Sequence, residues 1–476
     1  MKSLLKVFTT IIKGSIPGPW RLYAVTLLLT AMFCCFGALA GSAQEKPVDK
    51  PVFDQIVLNN GSRMEGLVVE EATQHIRFQF LISKPGVRTL VFEVTYDRTE
   101  VASISKAKEP HRSLAQKHIH SIETSKKREE TKVQQLTLVK SPWIDGTATA
   151  LLYQGPYFEL LSDAKESLVR LVAVRLEEIF AAYVRTLGQR QQPKKTVRII
   201  LFHTLGEYRA WQQKKGITIL NPAVYDAKAN EIAVGSDLEN QLQQLEELNS
   251  THQKQLKELT DQKKQIEKHF GGQPPAHLTK QIQQQIFQLK SLRTENEATF
   301  ARIDAAFFAI LYHEAFHAYL DEWVFPSNRY YVPRWLNEGL AQIYESAFVE
   351  VDKLRIGHID EKRLLDIQDD VRRGRFMTIR EILQAPGQQF FVRHTQESFE
   401  ANRQYNASWA ISEFIMFDLR LLGSPAMVEY VSSPANGDEI ARFEKLVGMP
   451  LEQCEQRWKA YLLRLRTDGS LRPSNG

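Results

Sequence analysis

Residues 301 to 323 run Ala-Arg-Ile-Asp-Ala-Ala-Phe-Phe-Ala-Ile-Leu-Tyr-His-Glu-Ala-Phe-His-Ala-Tyr-Leu-Asp-Glu-Trp, with no Gly or Pro to interrupt them. The stretch is apolar almost all round, which predicts a helix buried in a core rather than one lying on a surface. Yet His313, Glu314 and His317 sit within it, and an imidazole pair buried without partners is costly. His313 and His317 stand one turn apart on one face, near enough to grip a single ion. Glu314 projects about 100° round the helix from His313, beside such an ion rather than on it. A second apolar helix is opened by Pro333 and reads Trp335-Leu-Asn-Glu338-Gly339-Leu-Ala-Gln342. It carries the carboxylate of Glu338, and Gly339 beside it lacks the side chain that would hold another helix away. The fold must therefore bring these two helices together.

The first 21 residues hold Lys2, Lys6, Lys13 and Arg21 and no acid, and an uncharged apolar run follows from Leu22 to Ala40. With small residues at Ala38 and Ala40, or at Gly41 and Ala43, this layout predicts a secretory signal peptide over residues 1–43 and export to the periplasm or beyond. Left uncleaved, residues 22–40 are long enough to anchor the chain in a membrane. Phe33 is too bulky to precede a lipidated Cys34. Removing residues 1–43 changes 61 Lys and Arg against 56 Asp and Glu to 57 against 56, so a nucleic-acid partner has no electrostatic footprint. Only Cys454 remains beyond the signal, so no internal disulfide can form and a packed core must hold the chain.

Residues 53–106 read as five short strands. Asn59-Asn60-Gly61-Ser62 marks a hairpin, and a small SH3-like or Sm-like β-barrel is expected, able to bind peptides or to pack on a neighbour. Residues 107–137 are charged, a linker or solvated helix. From Trp143 a new globular pattern begins, with a helix around Leu168 to Val184 and strands at Val197–Phe202, Ala223–Tyr225 and Glu231–Val234. Residues 237–299 differ in composition. Positions 238, 242, 245, 249, 252, 256, 259, 263, 266 and 270 follow a heptad step, and seven of the ten are Leu, Ile or Phe. After the breaker at Gly271 to Pro275, Leu278, Ile282, Ile286 and Leu289 mark a return helix. The expectation is an antiparallel helical hairpin inserted in the domain 143–470, serving as a protein-binding arm or as an insertion without a function of its own.

The sequence H-E-x-x-H at His313–His317, followed by N-E-G-x-A at Asn337–Ala341, resembles the gluzincin branch of the zincins, which includes thermolysin and zinc aminopeptidases. It is most similar to exported bacterial proteins of the peptidase MA-like superfamily, over about residues 150–470. The resemblance implies an α+β zincin-like catalytic domain holding one Zn2+ on His313, His317 and Glu338, with Glu314 as the base that activates zinc-bound water for hydrolysis of a peptide or protein substrate. It also implies Tyr405 as the donor to the developing oxyanion, His394 being the alternative, and an edge strand at Glu231, Ile232, Ala233 and Val234 along which an extended substrate lies. Where many gluzincins carry an acid that orients a zinc-bound imidazole, this chain has Gln342, whose carbonyl can accept the same N–H. Metzincins are excluded, because their glycine and third histidine would fall on Leu320 and Trp323. Two rivals stand beside this reading: a non-catalytic zinc-containing binding or assembly protein using the barrel and the hairpin, and a zinc hydrolase of a non-peptide bond. A structural zinc normally closes with a fourth protein ligand, and the nearest unassigned downstream histidine is His358.

Overall fold

The computed structural model describes residues 51–59, 61–84, 87–192, 196–217, 221–271, 274–350, 353–355, 359, 361–385, 399–432 and 437–473. The expected signal segment, His358 and His394 lie outside them. Among the described residues no helix is long and apolar enough to cross a membrane. The chain is α+β.

The first unit has five strands: β1 (Asp54–Leu58), β2 (Arg63–Glu71), β3 (His75–Lys84), β4 (Val87–Asp97) and β5 (Val101–Ser105). They form one antiparallel sheet in the order β4-β3-β2-β1-β5. This corrects the expected barrel: β4 and β5 remain the two edges and the sheet is open. The alternation of the strands explains why. One face packs its own core of Ile56, Val68, Ile76, Phe78 and Tyr96. The other face, with Leu67, Leu81 and Val91, is covered by Ala115 and Ile119 of helix α1 (His111–Gln135), so the sheet need not close on itself. The charged segment 107–137 is therefore a docked helix. Buried Asp54 fastens it, taking the N–H groups of Val68 and Ala107 and facing Arg112 at 3.3 Å.

The second unit is built on a six-stranded sheet, order β10-β11-β9-β8-β7-β6, from β6 (Val139–Pro142), β7 (Thr149–Gln154), β8 (Phe158–Ser162), β9 (Val197–Phe202), β10 (Ala223–Asp226) and β11 (Glu231–Gly235). β8, β9 and β11 run parallel, and β10 turns back antiparallel to β11. Helix α2 (Glu166–Leu187) makes the crossover from β8 to β9 and α3 (Leu205–Lys215) follows β9. β10, paired on one side only, is the edge, which corrects the expected edge strand at Glu231–Val234. β11 has β9 on one side and β10 on the other, because the turn at residues 227–230 folds β10 outward.

Helix α4 (Leu238–His269) leaves the sheet and α5 (Ala276–Tyr319) returns. The expected hairpin is present, but its second arm does not stop where the buried helix begins. α5 is one uninterrupted helix of 44 residues, about 66 Å at 1.5 Å per residue, from the hairpin tip to the two histidines. Nor is the hairpin a bare arm. Phe287 joins the core of the first sheet, Lys290 donates to the Thr95 carbonyl at 2.6 Å, and Lys263 pairs with Asp97. The chain's own N-terminal sheet thus occupies part of the hairpin surface. Nearer the domain, Arg175 on α2 reaches Glu129 on α1 at 3.1 Å and Asp304 on α5 at 2.6 Å, tying three helices.

After α5 come α6 (Arg334–Glu345), the small hairpin of β12 (Phe348–Glu350) and β13 (Lys353–Arg355), α7 (Glu361–Arg372), α8 (Ile379–Gln384), α9 (Phe399–Glu413), α10 (Pro425–Ser432), α11 (Glu439–Val447) and α12 (Leu451–Arg464). Trp458, on the expected closing helix, is fully buried and donates to the Ala410 carbonyl of α9.

Two predictions follow from this packing. Leu238 belongs to the main core and Leu242 packs against it, so replacing all of residues 237–299 by a Gly-Ser link should destabilise the domain. Joining the arms near Glu246 and Glu295 should spare the domain but free the N-terminal sheet. Limited proteolysis of the two variants separates these outcomes. The second concerns Glu413, fully buried on α9, whose carboxyl is pushed up to about 8 by burial against a weaker contribution from Tyr461. A raised carboxyl pKa means the folded state binds its proton more tightly, so this group costs stability increasingly as pH rises from about 4.5 to about 8. Glu413→Gln should therefore stabilise the fold more at pH 8 than at pH 5, by on the order of 1–3 kcal/mol, read as a larger rise in melting temperature at the higher pH.

Candidate metal centre

The end of α5 and the start of α6 bring three donor atoms to one point. The Nε2 atoms of His313 and His317 lie 3.0 Å apart, and Glu338 Oε2 lies 3.3 Å from the first and 3.7 Å from the second. Four ligands about 2.0–2.1 Å from a tetrahedral zinc would stand roughly 3.3–3.4 Å from one another. The spacing of the three atoms fits that ion.

Tautomers argue the same way. His313 Nδ1 faces Glu345 Oε1 at 2.8 Å, and His317 Nδ1 faces Asn337 Oδ1 at 2.9 Å. Both partners accept hydrogen bonds, so each ring carries its proton on Nδ1 and turns an Nε2 lone pair inward. Two lone pairs and a carboxylate oxygen converging in a core require a cation. Without a metal that cation is a proton. Burial alone would favour a neutral His313, but Glu338 and Glu345 outweigh it and hold the ring's pKa well above the usual range. Burial likewise disfavours the charged Glu338, and His317 and His313 together overcome it, holding the carboxyl well below its usual range.

Glu314 is not among the converging ligands. Its Oε2 accepts the backbone N–H of Tyr225 at 2.8 Å. That N–H belongs to the edge strand β10, whose unpaired side therefore faces α5. Glu314 thus projects toward the strand edge rather than into the cluster of three donors, in keeping with its offset of about 100° on the helix.

The remaining sequence expectations divide. Gln342 is corrected: its amide donates to the carbonyls of Tyr405 and Glu338 and touches neither imidazole. The carboxylate that orients His313 is Glu345. Seven residues from Glu338 return to within about 20° of its direction on the helix, whereas four overshoot by about 40° toward α9. Tyr405 does reach the centre. Its hydroxyl donates to Glu345 at 3.0 Å and lies 3.4 Å from His313 Nδ1, behind the ring rather than on the side where the three donors meet. Gly339 does permit a close approach, and the partner is α9: a Cβ there would lie 2.2 Å from both the Ser408 carbonyl oxygen and Ser412 Oγ. Glu231, Ile232, Ala233 and Val234 lie one strand away from the edge. Glu345, Asn337 and Tyr225 were not singled out from the sequence. The first is signalled by its helical phase with Glu338 and the second by its place before it, but Tyr225 has no local signal.

Directly after α5 the helix widens into a π-helical turn, Leu320–Val324, closed by the Phe325 N–H to the Leu320 carbonyl at 2.7 Å. It swings Trp323 into the aromatic core of Phe180 and Tyr319. The helix that carries the two histidines is thus anchored just beyond them in an aromatic cluster.

No family model matches the chain, and no curated protein or solved structure matches it.

Because Glu345 fixes the proton of His313 on Nδ1, Glu345→Gln should weaken Zn2+ binding by about 10- to 100-fold with the fold retained. Gln342→Ala should leave the metal affinity close to that of the parent. Competition titration with a colorimetric chelator measures both.

Proposed function

We propose that this chain is an exported zinc-dependent peptidase with gluzincin-like chemistry. The observation that carries the reading is the convergence of three donors at zinc-compatible spacing with Glu314 beside them and uncoordinated. A purely structural zinc normally has four protein ligands, while a catalytic one has three and an open position. Among the described residues the cluster of possible ligands here is His313, His317 and Glu338.

Zinc, when bound, supplies a Lewis acid that acidifies water and polarises a carbonyl. The chain's own residues do the rest. Glu345 and Asn337 hold the two imidazoles so that their Nε2 lone pairs point inward. Arg334, with Nε 3.6 Å from Glu338 Oε1, steadies the other oxygen of the ligand carboxylate. Glu314 takes a proton from the attacking water, and the Tyr225 N–H fixes its carboxylate in place. β10 offers what remains of its outer edge beyond the Tyr225 N–H held by Glu314 for pairing with an extended peptide, a form of recognition that depends on backbone and not on sequence. This moves the substrate-binding role from Glu231–Val234 to Ala223–Asp226. Tyr405 supports the site from behind, its hydroxyl holding the Glu345 carboxylate that orients His313, and the oxyanion role expected of it is not carried from this position.

Glu314→Gln should keep the fold and the zinc while turnover on a peptide library falls by about 10²- to 10⁴-fold. Tyr405→Phe removes a hydrogen bond to Glu345, so it should weaken Zn2+ binding, but less than Glu345→Gln does, with the fold retained. A zinc-loaded parent chain that cleaves nothing in the library would favour the non-catalytic binding protein instead.

A further inference from the structure

A second group of metal-ligating side chains lies at the other end of the central sheet. β8, β9 and β11 are adjacent and parallel, and their carboxyl ends carry Asp163 and His203 directly after the first two strands and Asp237 two residues after the third. This is the end of a parallel sheet at which ligand sites are commonly built. The first turn of α3 adds Glu207. Asp163 Oδ2 lies 3.0 Å from His203 Nδ1, and Glu207 Oε2 lies 2.8 Å from the same nitrogen. One donor atom from each of the three residues falls within 4.8 Å of the others.

The surroundings explain why these three differ from an ordinary acidic surface. Asp237 is occupied in capping the Leu205 N–H at 3.1 Å, and Glu239 faces Lys165 Nζ at 3.4 Å. That leaves two carboxylates sharing one ring nitrogen, which carries at most one proton. A proton on Nδ1 serves both acids only by being shared between them. A divalent ion in its place would be held by all three.

We propose that Asp163, His203 and Glu207 form a second divalent-cation site, taking a transition-metal ion such as Zn2+ or Mn2+ through one imidazole nitrogen and two carboxylate oxygens. The mixed nitrogen and oxygen donors suit these ions better than Ca2+, which takes oxygen alone. His203 and Glu207 are exposed enough for water to complete the coordination. The ion ties the end of β8 to the start of α3, directly beside Asp237 and Glu239 at the root of the long hairpin. This site does not depend on the proposed peptidase reading.

The test is isothermal titration of the chelator-stripped chain with Zn2+ at neutral pH, repeated with Mn2+. The parent should bind one tight and one weaker equivalent of Zn2+. Glu207→Gln, an exposed substitution that leaves the fold intact, and His203→Ala should each lose the weaker equivalent alone. Glu338→Gln should lose the tight one and keep the weaker. A parent with no second equivalent, or a weaker equivalent unchanged in Glu207→Gln, overturns the proposal. A parent lacking the tight equivalent but showing one that Glu207→Gln removes would defeat the peptidase reading and leave this site standing.

Discussion

Two imidazole lone pairs and a carboxylate oxygen are turned toward one point inside an apolar core, and much of the second unit is arranged to hold them there. Groups of this kind cannot be buried unless each remaining polar atom is satisfied and a cation sits among them. The structure meets the first condition with Glu345 and Asn337 on the outer nitrogens and Arg334 on the outer oxygen. The rigidity comes from elsewhere. Tyr183 donates to the Tyr312 carbonyl at 2.7 Å, and Phe316, Tyr344 and Tyr183 pack ring to ring behind the histidines. Aromatic packing on the back of the helix fixes the front, where no apolar contact can.

Gly339 shows how the backbone participates. α9 approaches α6 so closely that the smallest side chain would overlap the Ser408 carbonyl oxygen, and this approach brings Tyr405 to Glu345 and His313. The conformational cost of a glycine inside a helix is offset by the helix pairing it allows. On the same helix α9, buried Glu413 faces Tyr461 of α12, an acid held neutral by its surroundings over much of the pH range below about 8.

The long helix α5 links regions that would otherwise be independent. One end carries the two histidines and the other carries Phe287 and Lys290, on which the N-terminal sheet rests. Arg175 stiffens the junction by holding α1 and α5 to α2. The hairpin is therefore a strut between the two units as well as an excursion from one of them.

Much was legible in the sequence because it rests on local periodicity. The uninterrupted apolar run predicted α5 around His313, the four-residue spacing put the histidines on one face, and the Pro333 start and Trp335–Gln342 pattern delivered Glu338 to them. The strands Val197–Phe202, Ala223–Tyr225 and Glu231–Val234 followed from the same reasoning, as did the heptads of the hairpin. What only the tertiary structure decided is which of several equivalent faces meets which partner. Glu345 and Gln342 both lie near the Glu338 face of α6, and the position of α9 gives Gln342 to a backbone carbonyl and leaves Glu345 for His313. β10 and β11 have similar patterns, and the direction of one turn makes β10 the edge. The first sheet stays open because α1 covers the face that a barrel would have enclosed. Pairing of this kind depends on residues far apart in the chain, and periodicity along one segment carries no record of its neighbour.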